Sequence, residues 1–170
     1  MADDGTPERV RTVRWSDPAR LLEAARTRSG AELLEAVRTG ALPAPPIAEL
    51  IGMRITEVAA GRAVFELEAA EFLYNPLGMV HGGILATLLD SAMGCALHAT
   101  LPAGTSYTTL EFQLHFVRPV TTRAGTIRAI GTLVHAGATL ATAEGRIEGR
   151  DGTLFAHGTC SMMLLRPRPP

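Results

Sequence analysis

The chain has 170 residues, of which 46% are hydrophobic and 5% aromatic, and a formal net charge of −1. This composition predicts one globular domain with a mainly aliphatic core. All 16 basic residues are arginines scattered along the sequence, which excludes the basic cluster of a nucleic-acid or membrane-surface protein. No apolar run reaches the roughly 18 residues of a membrane span. The N-terminal residues lack the basic region and the apolar region of a secretory signal. Cys95 and Cys160 have no paired spacing, so we expect a cytoplasmic protein with reduced thiols.

Residues 1–46 predict a loose tail, up to residue 16, followed by a short helical hairpin. Ser16-Asp17-Pro18 is typical of a helix N-cap with proline in the first turn. Ser29-Gly-Ala-Glu32 is a capping box that opens a second helix. The proline-rich segment 41–46 cannot continue that helix and is predicted to be an extended connector. The hairpin is too small to be a domain, so we expect it to pack on the main body or on a partner chain.

Residues 47–170 predict the main domain. Alternating apolar and polar residues predict a β-hairpin over 54–68, with Gly61 at its turn. One helix is expected from about residue 82 to 99. Strands joined by short links, with one central helix, predict an antiparallel α+β fold. Four further strands are predicted at 106–117, 125–135, 138–148 and 153–165.

The central helix carries one narrow polar strip on an otherwise apolar surface, on a wheel of about 100° per residue. A helix aspartate there is either exposed, paired with arginine or functional, because burying an unpaired charge is costly. Glycines in the strip would let another backbone approach closely. We expect the sheet to cover the apolar arc and to leave the strip for a partner or ligand. The strip consists of Gly83, Thr87, Asp90, Ser91, Gly94 and His98.

A polar turn leads directly into this helix. It reads Asn75-Pro-Leu-Gly-Met-Val-His81-Gly82-Gly83 and contains the only asparagine of the chain. A free N–H at a helix start, with the helix dipole behind it, stabilises negative charge on a carbonyl oxygen. Glycine at that position lets a substrate approach without a Cβ in the way. The turn and Asp90 together outline a candidate site.

These features resemble the hotdog-fold acyl-CoA thioesterases, in the PaaI-like branch of the phenylacetate pathway. The matching pattern is Asn75, then His81-Gly82-Gly83, then Asp90, followed by a strand that runs from Thr108-Thr109 to Arg118-Pro119. The resemblance covers about residues 47–165. It implies a hotdog fold, in which an antiparallel sheet wraps one long helix. It also implies homodimers, associating into homotetramers, with active sites at the dimer interface.

The resemblance also implies roles for individual residues. The Gly82 N–H would polarise the thioester carbonyl, and His81 would support that turn. Asn75 would position the attacking water or the carbonyl, Thr109 would assist the water, and Asp90 would be the general base or nucleophile. No metal or cofactor is implied, since coenzyme A is part of the substrate and its thiol, with a pKa of roughly 8.5, leaves without a strong acid.

Three further residues are candidates for substrate binding. They are Gly83, next to the helix start, Tyr74 and Arg118. Tyr74, like Phe72, either lines an acyl pocket or packs in the core. Arg118, like Arg62, either meets the phosphates of coenzyme A or is an ordinary surface arginine.

The spacing along the helix has a consequence for assembly. Gly82 and Asp90 are eight residues apart, about 12 Å along a helix that rises roughly 1.5 Å per residue. They cannot flank one carbonyl within a single chain. The hypothesis therefore requires Asp90 of one chain and Gly82 of another.

The same residues also bear on other classes of function. The five histidines (81, 98, 115, 135 and 157) have no metal-ligand spacing, and neither a nucleophile elbow nor a Walker loop occurs. A hotdog hydratase or dehydratase and a non-catalytic acyl-CoA binder remain as alternatives. Asn75, Asp90 and Thr109 together favour hydrolysis over both. Gln113 and His115 depart from the family pattern, and this departure concerns the preference of the acyl pocket. The sequence does not identify the acyl group.

Overall fold

The computed structural model describes residues 8–166, in which a six-stranded antiparallel sheet packs on one long helix. The strand order is β1-β2-β4-β5-β6-β3. This confirms the predicted α+β class and the arrangement expected of a hotdog fold. The helices are α1 (Ala19–Ala25), α2 (Gly30–Arg38), α3 (Pro46–Ile51) and α4 (Gly82–His98), and the strands are β1 (Met53–Ala59), β2 (Arg62–Glu68), β3 (Ser106–Phe116), β4 (Thr126–Ala136), β5 (Leu140–Gly149) and β6 (Leu154–Leu165).

The sheet buries one face against α4 and exposes the other. Along β5, Ala141, Ala143 and Ile147 are buried, whereas Glu144 and Arg146 between them are exposed. This is the alternation of a strand with one face on the core. The helix is correspondingly apolar, and its side chains with no exposed surface are Leu88, Leu89, Ala92, Met93, Ala96 and Leu97.

Glycines let the helix lie close against the centre of the sheet. A Cβ on Gly131 of β4 would lie 2.1 Å from the carbonyl oxygen of Ala92 in α4. A Cβ on Gly145 of β5 would lie 2.9 Å from Met93. Side chains at these two positions would push the helix away, so the glycines set the distance between the layers.

The N-terminal helices pack on the body of their own chain. The predicted capping box is present, because Ser29 Oγ accepts from the Glu32 N–H and the Glu32 carboxylate accepts from the Ser29 N–H. Leu33 is buried, and Gly30 lies against the carbonyl of His98 at the end of α4. At α1, the Asp17 carboxylate accepts the Ala19 N–H, and α1 has no buried residue.

The N-terminal part has two features that the sequence did not predict. The segment after the connector forms α3, because Pro46 fits the first helical position and Gly52, with φ +82°, ends the helix. Residues 8–16 form no helix or strand, but two arginines of this segment contact the body of the chain. Arg9 pairs with Glu71, and the Arg11 guanidinium lies 3.8 Å above the ring of Phe72. Residues 1–7 of the predicted tail lie outside the described range, and the division at 46/47 stays a prediction.

The contact at Gly131 predicts a large stability loss on adding one methyl group. Gly131→Ala is expected to lower the free energy of unfolding by about 3 kcal/mol, the upper end for overpacking, because its Cβ meets backbone atoms. Gly82→Ala is the control, since its Cβ would lie 3.6 Å from the Phe116 ring, an ordinary contact. Urea denaturation measures both. Equal stability of the two variants would contradict the close contact.

Candidate functional site

Asn75 closes the turn that precedes α4. Its side-chain oxygen Oδ1 accepts the N–H groups of Leu77 at 2.9 Å and Met79 at 3.4 Å. Its backbone N–H donates to the carbonyl of Met79 at 2.8 Å. Asparagine commonly holds a turn in this way. The amide nitrogen of Asn75 takes no part in these bonds, so it can donate to a ligand.

His81 caps the start of α4. Its Nδ1 accepts the N–H of Gly83 at 2.8 Å, and its backbone N–H donates to the carbonyl of Leu73 at 2.8 Å. The Gly83 N–H is therefore already used, which speaks against Gly83 as a donor to substrate. Gly82 is the first helical residue, where a backbone N–H has no partner within its own helix. The N–H of Gly82 is thus the group that faces outward at the positive end of the helix dipole.

Phe116 flanks this helix start. It is the last residue of β3, its side chain is 52% exposed, and its ring lies beside the Cα of Gly82. A ligand that reaches the Gly82 N–H would therefore have an aromatic surface next to it.

Asp90 is held by Thr109. The Thr109 hydroxyl donates to Asp90 Oδ1 at 2.8 Å, across from α4 to β3, and both residues are half-buried. Within residues 8–166, Asp90 forms no ion pair with an arginine. Asp90 is therefore neither a fully exposed surface carboxylate nor one that is paired with an arginine. Asp90 Oδ2 is not used in the bond to Thr109.

Tyr107 extends the same surface along α4. Tyr107 and Thr109 share one face of β3, while Gly94 follows Asp90 by one helical turn. A Cβ on Gly94 would lie 2.3 Å from the Tyr107 hydroxyl oxygen, so the expected close approach of a backbone at Gly94 is wrong and a side chain fills the space. The Tyr107 ring also meets the edge of His98. Burial, followed by the neighbouring Cys95 and Asp90, raises the pKa of Tyr107 well above its usual value.

Both cysteines near Asp90 are free thiols with a suppressed acidity. Burial, and after it the charge of Asp90, raises the pKa of Cys95 to about 12 and that of Cys160 to about 11. A thiol with so high a pKa carries almost no thiolate at neutral pH. The carboxylate of Asp90 is therefore the anionic group of this cluster.

The remaining candidates lie farther from Asp90 or serve the fold. The Tyr74 hydroxyl donates to Thr122 Oγ1 at 3.2 Å and accepts the Thr122 N–H at 2.7 Å, which supports a packing role. Phe72, half exposed, carries the Arg11 guanidinium on its ring. Arg118 is exposed and donates to the Leu154 carbonyl at 2.9 Å.

Gln113 and His115 lie on the sheet face that points away from α4. They pair with Thr159 and His157 of β6, and the His115 and His157 rings stack at 5.0 Å. The expectation that these two residues influence an acyl pocket beside Asp90 is therefore wrong. Strict alternation along β3 would place Gln113 and His115 on the face of Thr109, but a register shift between Thr109 and Glu111 turns them to the other face. Alternation before that shift would have found Tyr107, which sequence reasoning missed.

No group of three or more His, Cys, Asp and Glu side chains within residues 8–166 could hold a metal ion. In the same range, no helix is long and apolar enough to cross a membrane.

Comparison with known proteins identifies relatives along most of the chain. Residues 77–156 match the model of the thioesterase superfamily. A 1,4-dihydroxy-2-naphthoyl-CoA hydrolase from Listeria monocytogenes is 25% identical over 120 residues, 71% of this chain and 96% of that protein. A phenylacetic acid degradation-related protein from Ralstonia eutropha is 31% identical, with a TM-score of 0.69 over 76% of this chain and 98% of that one. A thioesterase family protein from Silicibacter pomeroyi is 26% identical, with a TM-score of 0.71 over 81% of this chain and 99% of that one.

The raised thiol pKa values predict a loss of stability at alkaline pH. Above pH 9 the unfolded chain releases the protons of Cys95 and Cys160, while the folded chain keeps them. The free energy of unfolding should therefore fall between pH 9 and 11, by at most about 1.4 kcal/mol per pH unit for each cysteine. The chain has no lysine, and Tyr107 acts in the same direction at higher pH.

Urea denaturation at pH 8, 9, 10 and 11 measures this effect. The double variant Cys95→Ser, Cys160→Ser is the control and should lose much less stability over the same range. A free energy of unfolding that stays constant up to pH 11 in the wild type would contradict the burial of both thiols.

Proposed function

The chain belongs to the thioesterase superfamily, and on that premise we propose that it hydrolyses an acyl-CoA thioester to a free acid and coenzyme A. The family supports thioester hydrolysis in general. The choice of coenzyme A as the thiol, and the roles of the residues below, are part of the proposal.

One observation carries the proposal: a half-buried carboxylate, without an arginine partner in residues 8–166, is oriented by a hydroxyl. Asp90 accepts from Thr109 through Oδ1 at 2.8 Å, which leaves Oδ2 to take a proton from water or to attack a carbonyl directly. A positioned carboxylate suits both roles. Thr109 fixes the carboxylate and lies close enough to hold the attacking water.

The second half of the site is the start of α4. The free N–H of Gly82 would donate to the thioester oxygen as negative charge develops there, helped by the helix dipole. His81 would act by capping the helix, because its Nδ1 accepts from Gly83. The amide nitrogen of Asn75 would donate to the carbonyl or the water, because Oδ1 of that side chain already holds the turn.

These two halves would come from different chains. Both lie on α4, about 12 Å apart along its axis, so one carbonyl cannot meet both in one chain. The open edge of the sheet supports pairing of two chains. β3 lies at the end of the strand order, and an unpaired edge strand with exposed apolar side chains favours association. These side chains are Leu110, Phe112, Phe116 and Val117. We propose a homodimer with two such sites, and pairs of dimers as homotetramers.

In the reaction, the Gly82 N–H of one chain polarises the carbonyl while Asp90 of the other removes a proton from water. The water oxygen attacks the carbonyl carbon, and the C–S bond breaks as the tetrahedral intermediate collapses. The thiol of coenzyme A has a pKa of roughly 8.5, so it departs as a thiolate and needs no strong acid. In the alternative route Asp90 attacks, and water then hydrolyses the anhydride.

The hydratase alternative is less well supported by this geometry. It needs a histidine and a carboxylate that share one substrate as acid and base. His81 already uses its Nδ1 to cap the helix, which leaves only Nε2 for acid–base work. We place the hydrolysis in the cytoplasm, where free Cys95 and Cys160 thiols stay reduced.

The test is release of free thiol from a panel of aryl-acyl and fatty acyl-CoA esters, with Asp90→Asn beside the wild type. The variant keeps the shape of the side chain and the bond from Thr109 but cannot act as a base. Its turnover should fall about 100-fold or more, while substrate binding persists. Thr109→Ser, which retains the hydroxyl, should stay within about 10-fold of the wild type.

Three outcomes decide between the functions. Thiol release that depends on Asp90 supports the thioesterase. Conversion of the acyl chain without thiol release would indicate a hydratase. Saturable binding of the esters with no reaction, by folded and dimeric protein, would indicate a non-catalytic binder.

A further inference from the structure

A cavity lies between the N-terminal helices and the body of the chain. Its volume is about 400 Å³, within the roughly 300–1,000 Å³ of small-molecule sites. The wall from α2 lies outside residues 77–156, the part that matches the family model. Its main lining residues are Leu33, Leu34 and Val37 of α2, Ile55 of β1, Phe65 of β2 and Cys95 of α4.

The α2 wall is firmly attached. The capping box at Ser29 fixes the start of the helix. The Gly30 N–H donates to the carbonyl of Leu101 at 2.9 Å, so α2 is bonded to the segment that follows α4. Leu33 is buried against the body. The cavity is therefore part of a packed layer and does not depend on an exposed loop.

The two arginines at the rim of the cavity, Arg38 and Arg54, are already paired. Arg38 forms an ion pair with Glu35 at 2.6 Å, and Arg54 forms one with Glu66 at 2.8 Å. An anionic ligand would have to break these pairs, and it would leave its charge in an aliphatic cavity, which is costly. The chemistry of the cavity therefore selects a neutral, apolar group.

The cavity reaches the helix that carries Asp90. Cys95, part of the cavity wall, follows Asp90 by five residues, about 7.5 Å along the axis and about 140° around it. Ser91, half-buried, lies between them on the helix surface, one turn before Cys95. Burial and the charge of Asp90 both act on the Cys95 thiol, which is consistent with their proximity.

We propose that this cavity receives the far end of an aliphatic acyl chain whose thioester carbon lies at Asp90. The inference rests on the proposed function. At about 1.5 Å per carbon–carbon bond, the axial distance alone needs about six carbons and the path around the helix needs more, so acetyl and butyryl groups stop short. At roughly 30 Å³ for a group the size of a water molecule, the cavity accommodates on the order of ten methylene groups. The substrate class is thus medium-chain and longer unbranched acyl-CoA esters.

A chain-length series on the wild-type enzyme tests this directly. Thiol release is measured with acetyl-, butyryl-, hexanoyl-, octanoyl-, decanoyl- and phenylacetyl-CoA. The value of kcat/KM should rise about 10-fold or more from butyryl to decanoyl, as methylene groups enter an apolar pocket. An eight-carbon ester with a terminal carboxylate should react about 10-fold or more slowly than octanoyl-CoA, because its charge would enter the cavity.

A matched pair of variants locates the effect. Leu34→Trp fills the cavity, while Leu22→Trp makes the same substitution at a position on α1 that is 72% exposed. Leu34→Trp should lower kcat/KM for decanoyl-CoA about 10-fold or more and leave butyryl-CoA within about 2-fold of wild type. Leu22→Trp should change neither.

The outcomes separate this inference from the proposed function. Thiol release that does not rise with chain length in the wild type overturns the inference and leaves the thioesterase standing, whether or not Leu34→Trp folds. The same holds if Leu34→Trp and Leu22→Trp have equal chain-length profiles. No release from any ester overturns the proposed function, and this inference with it.

Discussion

The close contact between α4 and the sheet determines where the groups of the site lie. Gly131 lets the helix approach β4 until backbone meets backbone, and Gly145 makes room for the side chains of Met93 and Leu89. Most of the aliphatic arc of the helix is then buried against the sheet, and the narrow polar strip is left to meet other groups. Asp90 lies in that strip. Its partial exposure and its bond to Thr109 follow from this packing constraint.

The site combines two features that stability alone would not favour. A half-buried carboxylate loses hydration, and one hydroxyl bond from Thr109 compensates only in part. An outward-facing N–H at Gly82 likewise lacks a partner within its own helix. Groups of this kind are expected where a substrate supplies the missing interactions. The thiols of Cys95 and Cys160, in contrast, stay neutral: burial and the charge of the same carboxylate keep them protonated.

Local sequence signals predicted much of the fold. Alternation and glycine placed the later strands close to their observed bounds, and the capping box at Ser29 is present. Long-range contacts had no such signal, as in the pair of Arg9 with Glu71, which are 62 positions apart. The start of α3 was missed for another reason: Pro46 ends the connector and also begins this helix. The helix wheel identified the strip of Asp90 but not what lies against it, so the side chain of Tyr107 at Gly94 was missed. The family resemblance named Asp90 and Thr109 as site residues but did not predict the hydrogen bond between them. The two-chain site stays a prediction because a single chain cannot test it.

Complementation between two inactive variants tests the two-chain site most directly. Asp90→Asn removes the base, and Gly82→Pro removes the N–H at a first helical position that tolerates proline, after a His81 backbone that is already extended. In a random mixture half of the dimers are mixed, and each has one intact site, so thiol release should recover to about a quarter of the wild-type rate. Asp90→Asn mixed with the double variant should stay inactive. Mixed dimers that form, yet release no more thiol than either variant alone, would contradict a site shared between chains.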